Sequence, residues 1–161
     1  MKKINRQYDI EKILMEIESL DIQSDQISLQ SPDGTYTSGT GGIKKMVSEG
    51  FSETDFDNIN ILKNWETARF IADLNLYRTR VMIMGPKTCY SWHKDPSPRV
   101  HLALETHEYC FFVENKEIVH IPADGYPYLI DTTKYHTAMN CTLDTKRIHL
   151  VGCVREDSEY L

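Results

Sequence analysis

The segment Tyr90-Ser91-Trp92-His93-Lys94-Asp95 contains a His-x-Asp pair. In an extended chain, residues two apart project to the same side, so His93 and Asp95 can offer an imidazole and a carboxylate to one metal ion. With six histidines in 161 residues, chance readily supplies such a pair, and a salt-linked turn before Pro96 is the plain alternative. The context adds weight. Forty residues lie between Asp95 and His136, and ten between His136 and Arg147. Two imidazoles and a carboxylate are the donor set of an iron site with open positions, and an Arg on the following strand can grip a carboxylate at two points. His101, His120 and His149 compete with His136 as third ligand, and the Arg ten residues beyond His136 decides in its favour. His107, beside Glu108 in a turn, and His120, in a hairpin strand, read as surface or structural residues.

These residues need elements to position them. From Asp9 to Leu20, the apolar residues Ile10, Ile13, Leu14, Ile17 and Leu20 recur at helical spacing, with Asp9 placed to cap the first turn. Residues 31–42 are dense in turn formers and read as a loop. A second helix is predicted near 62–75. After Tyr77 the period drops from about 3.6 to about 2, which predicts strands at 77–84, 99–104, 109–114, 117–122, 126–131, 135–140 and 146–154. Short strands with no helix between them mean antiparallel β architecture, a sandwich or jelly roll. The chain is read as one domain (1–161), with 1–76 as a helical and loop cover and 77–155 as the β core. Within strand 146–154, Arg147, His149, Val151 and Cys153 share one face while Ile148 and Leu150 share the other; in 99–104, Arg99 and His101 alternate with Val100, Leu102 and Leu104. Each strand presents a cation and an imidazole on the face opposite its aliphatic residues, an arrangement suited to a polar cavity.

Residues 90–154 resemble the aspartyl/asparaginyl β-hydroxylase branch of the iron(II) and 2-oxoglutarate-dependent dioxygenases, in particular small phage-type members. The resemblance rests on His93-Lys94-Asp95, Arg99-Val100-His101-Leu102, the Asp124-Gly125 turn, His136-Thr137-Ala138-Met139-Asn140 and Arg147-Ile148-His149-Leu150-Val151. It covers about two fifths of the chain and leaves 1–76 without a motif. It implies a double-stranded β-helix, the cupin-like jelly roll, with His93, Asp95 and His136 as the facial triad for Fe(II). It also implies that Arg147 holds the distal carboxylate of 2-oxoglutarate, helped by a hydroxyl of Ser91 or Tyr90. Arg99 and His101 fall near the metal-chelating end, and Asn140 supports His136. The implied reaction uses O2 to hydroxylate an amino-acid side chain, free or in a peptide (Asp/Asn- or Pro-type), while 2-oxoglutarate becomes succinate and CO2.

Charge and composition narrow the alternatives. The chain carries 18 Lys and Arg against 24 Asp and Glu, a net charge of -6 that disfavours a nucleic-acid partner. Residues 78–99 nevertheless hold five cations, Arg78, Arg80, Lys87, Lys94 and Arg99, against the single carboxylate Asp95. Such a cluster favours a small anionic ligand, although on charge pattern alone a solvated strand edge is the ordinary reading. The four cysteines form no CxxC pair and are expected as reduced thiols. No apolar run approaches a membrane span, so a cytoplasmic location is expected. The competing class is a cupin-like metal-binding or sensing module without turnover. Retention of both Asp95 and Arg147 favours the enzyme, because a metal store has no need of the anchoring Arg.

Overall fold

Hydrophobic patterning divides the chain into a helix-and-loop N-terminal part and a β-rich remainder. A computed structural model describes residues 1–114 and 116–161. In chain order the elements are β1 (Lys2–Lys3), α1 (Ile10–Glu18), β2 (Gln26–Ser28), α2 (Ile43–Ser48), a 3-10 turn (Glu53–Asp55), α3 (Glu66–Asp73), β3 (Tyr77–Met84), β4 (Thr88–Cys89), β5 (Arg99–Glu105), β6 (Cys110–Glu114), β7 (Glu117–Val119), β8 (Tyr128–Ile130), β9 (His136–Asn140) and β10 (Arg147–Cys153). Two antiparallel sheets result, one in the order β1-β8-β5-β10-β3-β2 and the other β4-β9-β6-β7. The fold is mainly β with few helices.

The alternation read in the strands sets the layers. On β5, Val100, Leu102 and Leu104 join Leu150 of β10 and Val81 of β3 in a core completed by Ile13 and Ile17 of α1 and Phe70 and Ile71 of α3. The opposite face turns Arg99, His101, Arg147 and Val151 into a cavity walled on its far side by Phe112 of β6 and His136 and Ala138 of β9. The six-stranded sheet thus packs apolar residues against helices on one side and presents polar ones to the other sheet.

Several boundaries differ from the sequence-based expectation, each for a local reason. The second helix begins at Glu66 rather than near 62. Its N-cap residue Trp65 has no capping side chain, and the carboxylate of Glu16 on α1 takes that role. It accepts from the Glu66 N–H at 2.7 Å, the Thr67 N–H at 2.9 Å and the Thr67 hydroxyl at 2.7 Å. The strand expected at 126–131 is confined to Tyr128–Ile130, since Pro127 has no N–H to give a ladder. Residues 1–76 do more than cover: β1 pairs with β8 and β2 with β3, forming both edges of the large sheet. The region between the two predicted helices also contains α2 and the 3-10 turn.

Two backbone features tie the N-terminal part to the sheets. Gly125 of the Asp124-Gly125 turn has φ +80°, and a Cβ there would lie 2.8 Å from the Tyr8 carbonyl oxygen. The close approach lets the Tyr8 N–H donate to the Gly125 carbonyl at 2.9 Å. On β3, the register moves from Arg80 opposite Val151 to Tyr77 opposite Cys153, so Arg78 and Thr79 together face Gly152. This bulge places Arg78 at φ +49°. Among the described residues no helix is long and apolar enough to cross a membrane.

Candidate metal centre

His93 and Asp95 lie in the connection between β4 and β5, and His136 opens β9. The backbone joins them: the His93 N–H donates to the His136 carbonyl at 3.1 Å and the His136 N–H to the His93 carbonyl at 2.9 Å. Asp95 is fixed by its own N–H, which donates to the Thr132 carbonyl at 2.8 Å. One ligand atom from each of His93, Asp95 and His136 lies within 4.8 Å of the others. Asp95 Oδ1 is 4.0 Å from His93 Nε2, and Asp95 Oδ2 is 3.7 Å from His136 Nε2.

The imidazole tautomers follow from their partners. His93 Nδ1 faces the Ser91 carbonyl at 2.6 Å and His136 Nδ1 faces the Lys134 carbonyl at 2.9 Å. A carbonyl only accepts, so each Nδ1 carries a proton, and Nε2 is the nitrogen of each ring that can coordinate a metal. Burial lowers the His136 pKa against the opposing effects of the Lys134 carbonyl and Asp95, which keeps the ring neutral and available as a ligand. Phe112 stacks on His136 at 5.3 Å and 10° and fixes the ring plane. Two neutral imidazoles and a carboxylate suit a divalent transition metal such as iron, manganese or zinc. Donor spacings of 3.7 and 4.0 Å are wider than the roughly 3 Å edge of a site with ~2.1 Å bonds, so the three side chains would draw together on a bound ion.

Four guanidiniums line the same cavity as this group, and they fall into two kinds. Arg99 sends Nη2 to Glu53 at 2.6 Å and Nε to Asp95 at 3.4 Å. Arg78 sends Nη1 to the same Glu53 oxygen at 2.5 Å. Burial alone would raise the Glu53 carboxyl, but Arg99 and Arg78 outweigh it and hold the pKa below the usual range. Arg147 and Arg80 differ: among the described residues neither pairs with a carboxylate. Arg147, 3% exposed, touches His149 Nδ1 through Nη2 at 3.0 Å. Burial pushes its pKa down to about 10, which leaves it charged at neutral pH.

The sequence-predicted residues are therefore brought to one place. His93, Asp95, His136, Arg147, Arg99, His101, Ser91 and Tyr90 all line a single cavity of about 960 Å3 between the sheets. Burial raises the Tyr90 phenol pKa against the lowering influence of nearby Arg147, so the hydroxyl stays protonated. His101 and His149 are buried with pKa values pushed well down, chiefly by burial and then by Arg147. His107 and His120 lie outside the cavity lining; His120 Nδ1 instead meets the Cys110 carbonyl at 3.0 Å. Of the aromatics, Tyr128 is core, while Trp92 and Tyr135 stack on each other, half exposed, at 6.1 Å.

Two expectations fail and one residue was missed. Asn140 does not support His136: its amide donates to the Met84 and Thr145 carbonyls at 3.0 and 2.8 Å, and its oxygen accepts from Thr142, closing the β9–β10 turn. The charge cluster 78–99 is no solvated strand edge, since Arg78, Arg80 and Arg99 are all buried. Glu53, which neutralises two of them, carried no recognised signal; the local cue was the Ser52…Asp55 capping box that makes its turn. In comparisons with known proteins, the chain matches no protein-family model and no curated protein, and the functional reading rests on the geometry above.

Proposed function

We propose that the protein is an iron(II)- and 2-oxoglutarate-dependent dioxygenase that hydroxylates an amino-acid side chain, free or in a peptide, with its two sheets forming a double-stranded β-helix. One observation carries the reading: a His-Asp-His group and a buried Arg147 that has no carboxylate partner among the described residues line the same cavity. A metal store needs the first and not the second. When bound, Fe(II) would activate O2 and, with 2-oxoglutarate as the reductant, supply the oxidising power for attack on a C–H bond, releasing succinate and CO2.

The chain's own residues bind, orient and exclude. His93, Asp95 and His136 would hold the metal through two imidazoles and a carboxylate. Arg147 receives the distal carboxylate of 2-oxoglutarate, oriented by His149 behind it, and the protonated Tyr90 or Ser91 hydroxyl adds a hydrogen bond. His101, neutral and without a hydrogen-bond partner at either ring nitrogen among the described residues, is free to meet the chelating end. Arg99, braced by Glu53, holds Asp95 in place and limits its freedom to swing toward solvent.

The test is anaerobic titration of Fe(II)-loaded protein with 2-oxoglutarate, following the weak visible charge-transfer band of the chelate. A band that disappears in His93→Ala supports the oxygenase. Iron-loaded, folded protein without a band points instead to the metal-binding module.

A further inference from the structure

The cavity holds more positive charge than one cosubstrate uses. Arg78, Arg80, Arg99 and Arg147 line it, with Lys44 and Lys94 also in its wall. Against these stand Asp95 in the lining and Glu53 behind it, and Glu53 is shared by Arg78 and Arg99. A divalent metal on Asp95 adds two charges, and 2-oxoglutarate brings two of the opposite sign. Two buried guanidinium charges are then still uncompensated.

One of them remains where Arg78 and Arg99 share Glu53, and the other is Arg80. It is 7% exposed and lines the cavity. Its Nη1 donates to Gln26 Oε1 at 3.1 Å and to the Gly41 carbonyl at 3.2 Å, both neutral, and its Nε has no partner among the described residues. It lies apart from Arg147. Arg80 pairs across β10 with Val151, four residues beyond Arg147, and Val151 pairs on its other side with His101. Four residues of strand span about 13 Å, so one short dicarboxylate anchored at Arg147 and the metal does not also occupy Arg80. Beside Arg80 the wall is the Gly41–Lys44 segment, whose Lys44 is exposed at the rim.

We infer that Arg80 is a second oxyanion subsite, and that the primary substrate is an organic anion whose carboxylate or phosphate is held by Arg80 and drawn in past Lys44. The lining offers no carboxylate besides the metal ligand Asp95 among the described residues, so a cationic substrate finds no partner there. This inference rests on the dioxygenase reading and narrows its substrate class.

The test is calorimetry on protein saturated with Mn(II), which sustains no turnover, and 2-oxoglutarate, titrated with acetate and separately with methyl phosphate. The expected result is one further equivalent of anion, weakened about tenfold or more in Arg80→Gln, with 2-oxoglutarate affinity changed less than about twofold. Lys44→Glu, at the exposed rim and harmless to the core, is expected to weaken the same probe about threefold, which keeps the test valid if Arg80→Gln misfolds. Acetate binding alone identifies a carboxylate substrate, and methyl phosphate binding alone a phosphate ester. No further anion binding in the wild type, or equal loss of probe and 2-oxoglutarate in Arg80→Gln, overturns the inference. If the wild type binds no 2-oxoglutarate, the dioxygenase reading fails separately. The same titration on metal-free protein then decides for Arg80 by whether Arg80→Gln loses the probe.

Discussion

At Arg147 the fold keeps a charge that it has not neutralised. A buried guanidinium whose hydrogen-bond partner is a neutral imidazole costs folding free energy, and evolution tolerates such a cost where a ligand recovers it. Arg147→Met is therefore expected to raise the urea-measured stability of the ligand-free protein by about 1–3 kcal/mol while removing 2-oxoglutarate binding. A destabilised variant would show that Arg147 is structural. His101 and His149 give a pH dependence of definite sign. Burial holds both well below their ordinary pKa, so they stay neutral in the folded state while the unfolded chain takes up protons below about pH 6.5. The stability they permit is full above that pH and falls below it, by up to about 2.7 kcal/mol per pH unit for two groups. Urea titrations of chelator-treated protein between pH 7.5 and 5.5 should show this slope, and His149→Gln should remove about half of it. At this scale the sequence was legible for the placement of His93, Asp95, His136 and Arg147, whose types and spacing anticipated that they line one cavity. It was misread at Arg78, Arg80 and Arg99, because charge type alone says surface. Their partner Glu53 lies 25 and 46 residues from Arg78 and Arg99, a distance no local pattern reports.

Among the elements, α3 owes its starting point to another helix. Three donors at its N-terminus converge on Glu16 of α1, a carboxylate 9% exposed, where the helix dipole favours negative charge. Glu16→Ala leaves those donors without partners and is expected to cost about 1–3 kcal/mol by urea unfolding. Amide exchange should quicken first at Glu66 and Thr67. A loss below about 0.5 kcal/mol would mean that water caps the helix equally well. The helical period read between 62 and 75 could not locate this start, because the cap comes from fifty residues upstream. The strands β5 and β10 were legible almost to the residue, since a sheet with one apolar and one polar face imposes strict alternation. Two-residue strands such as β1 and β4 carry no period at all and exist only through their partners β8 and β9.

The molecule as a whole places its cavity between two sheets and its stability in the helix-backed core on the far side of the larger one. Binding in the cavity should therefore add to stability without reorganising the fold. A ligand at about a hundred times its Kd contributes about 2.7 kcal/mol, or roughly 5–10 °C of melting temperature for a chain of this size. Mn(II) is expected to raise the melting temperature, and 2-oxoglutarate to raise it again only when metal is present, since Arg147 alone supplies one end of the dicarboxylate's grip. His136→Ala should abolish both rises; Arg147→Met should abolish the second and keep the first. That asymmetry separates the two classes of function at the level of the whole protein. A metal-binding module gives the first rise without the second, because its binding free energy resides in the three ligands. A dioxygenase gives a second rise that depends on the first, because cosubstrate binding there draws on a metal and a cation presented by opposite sheets.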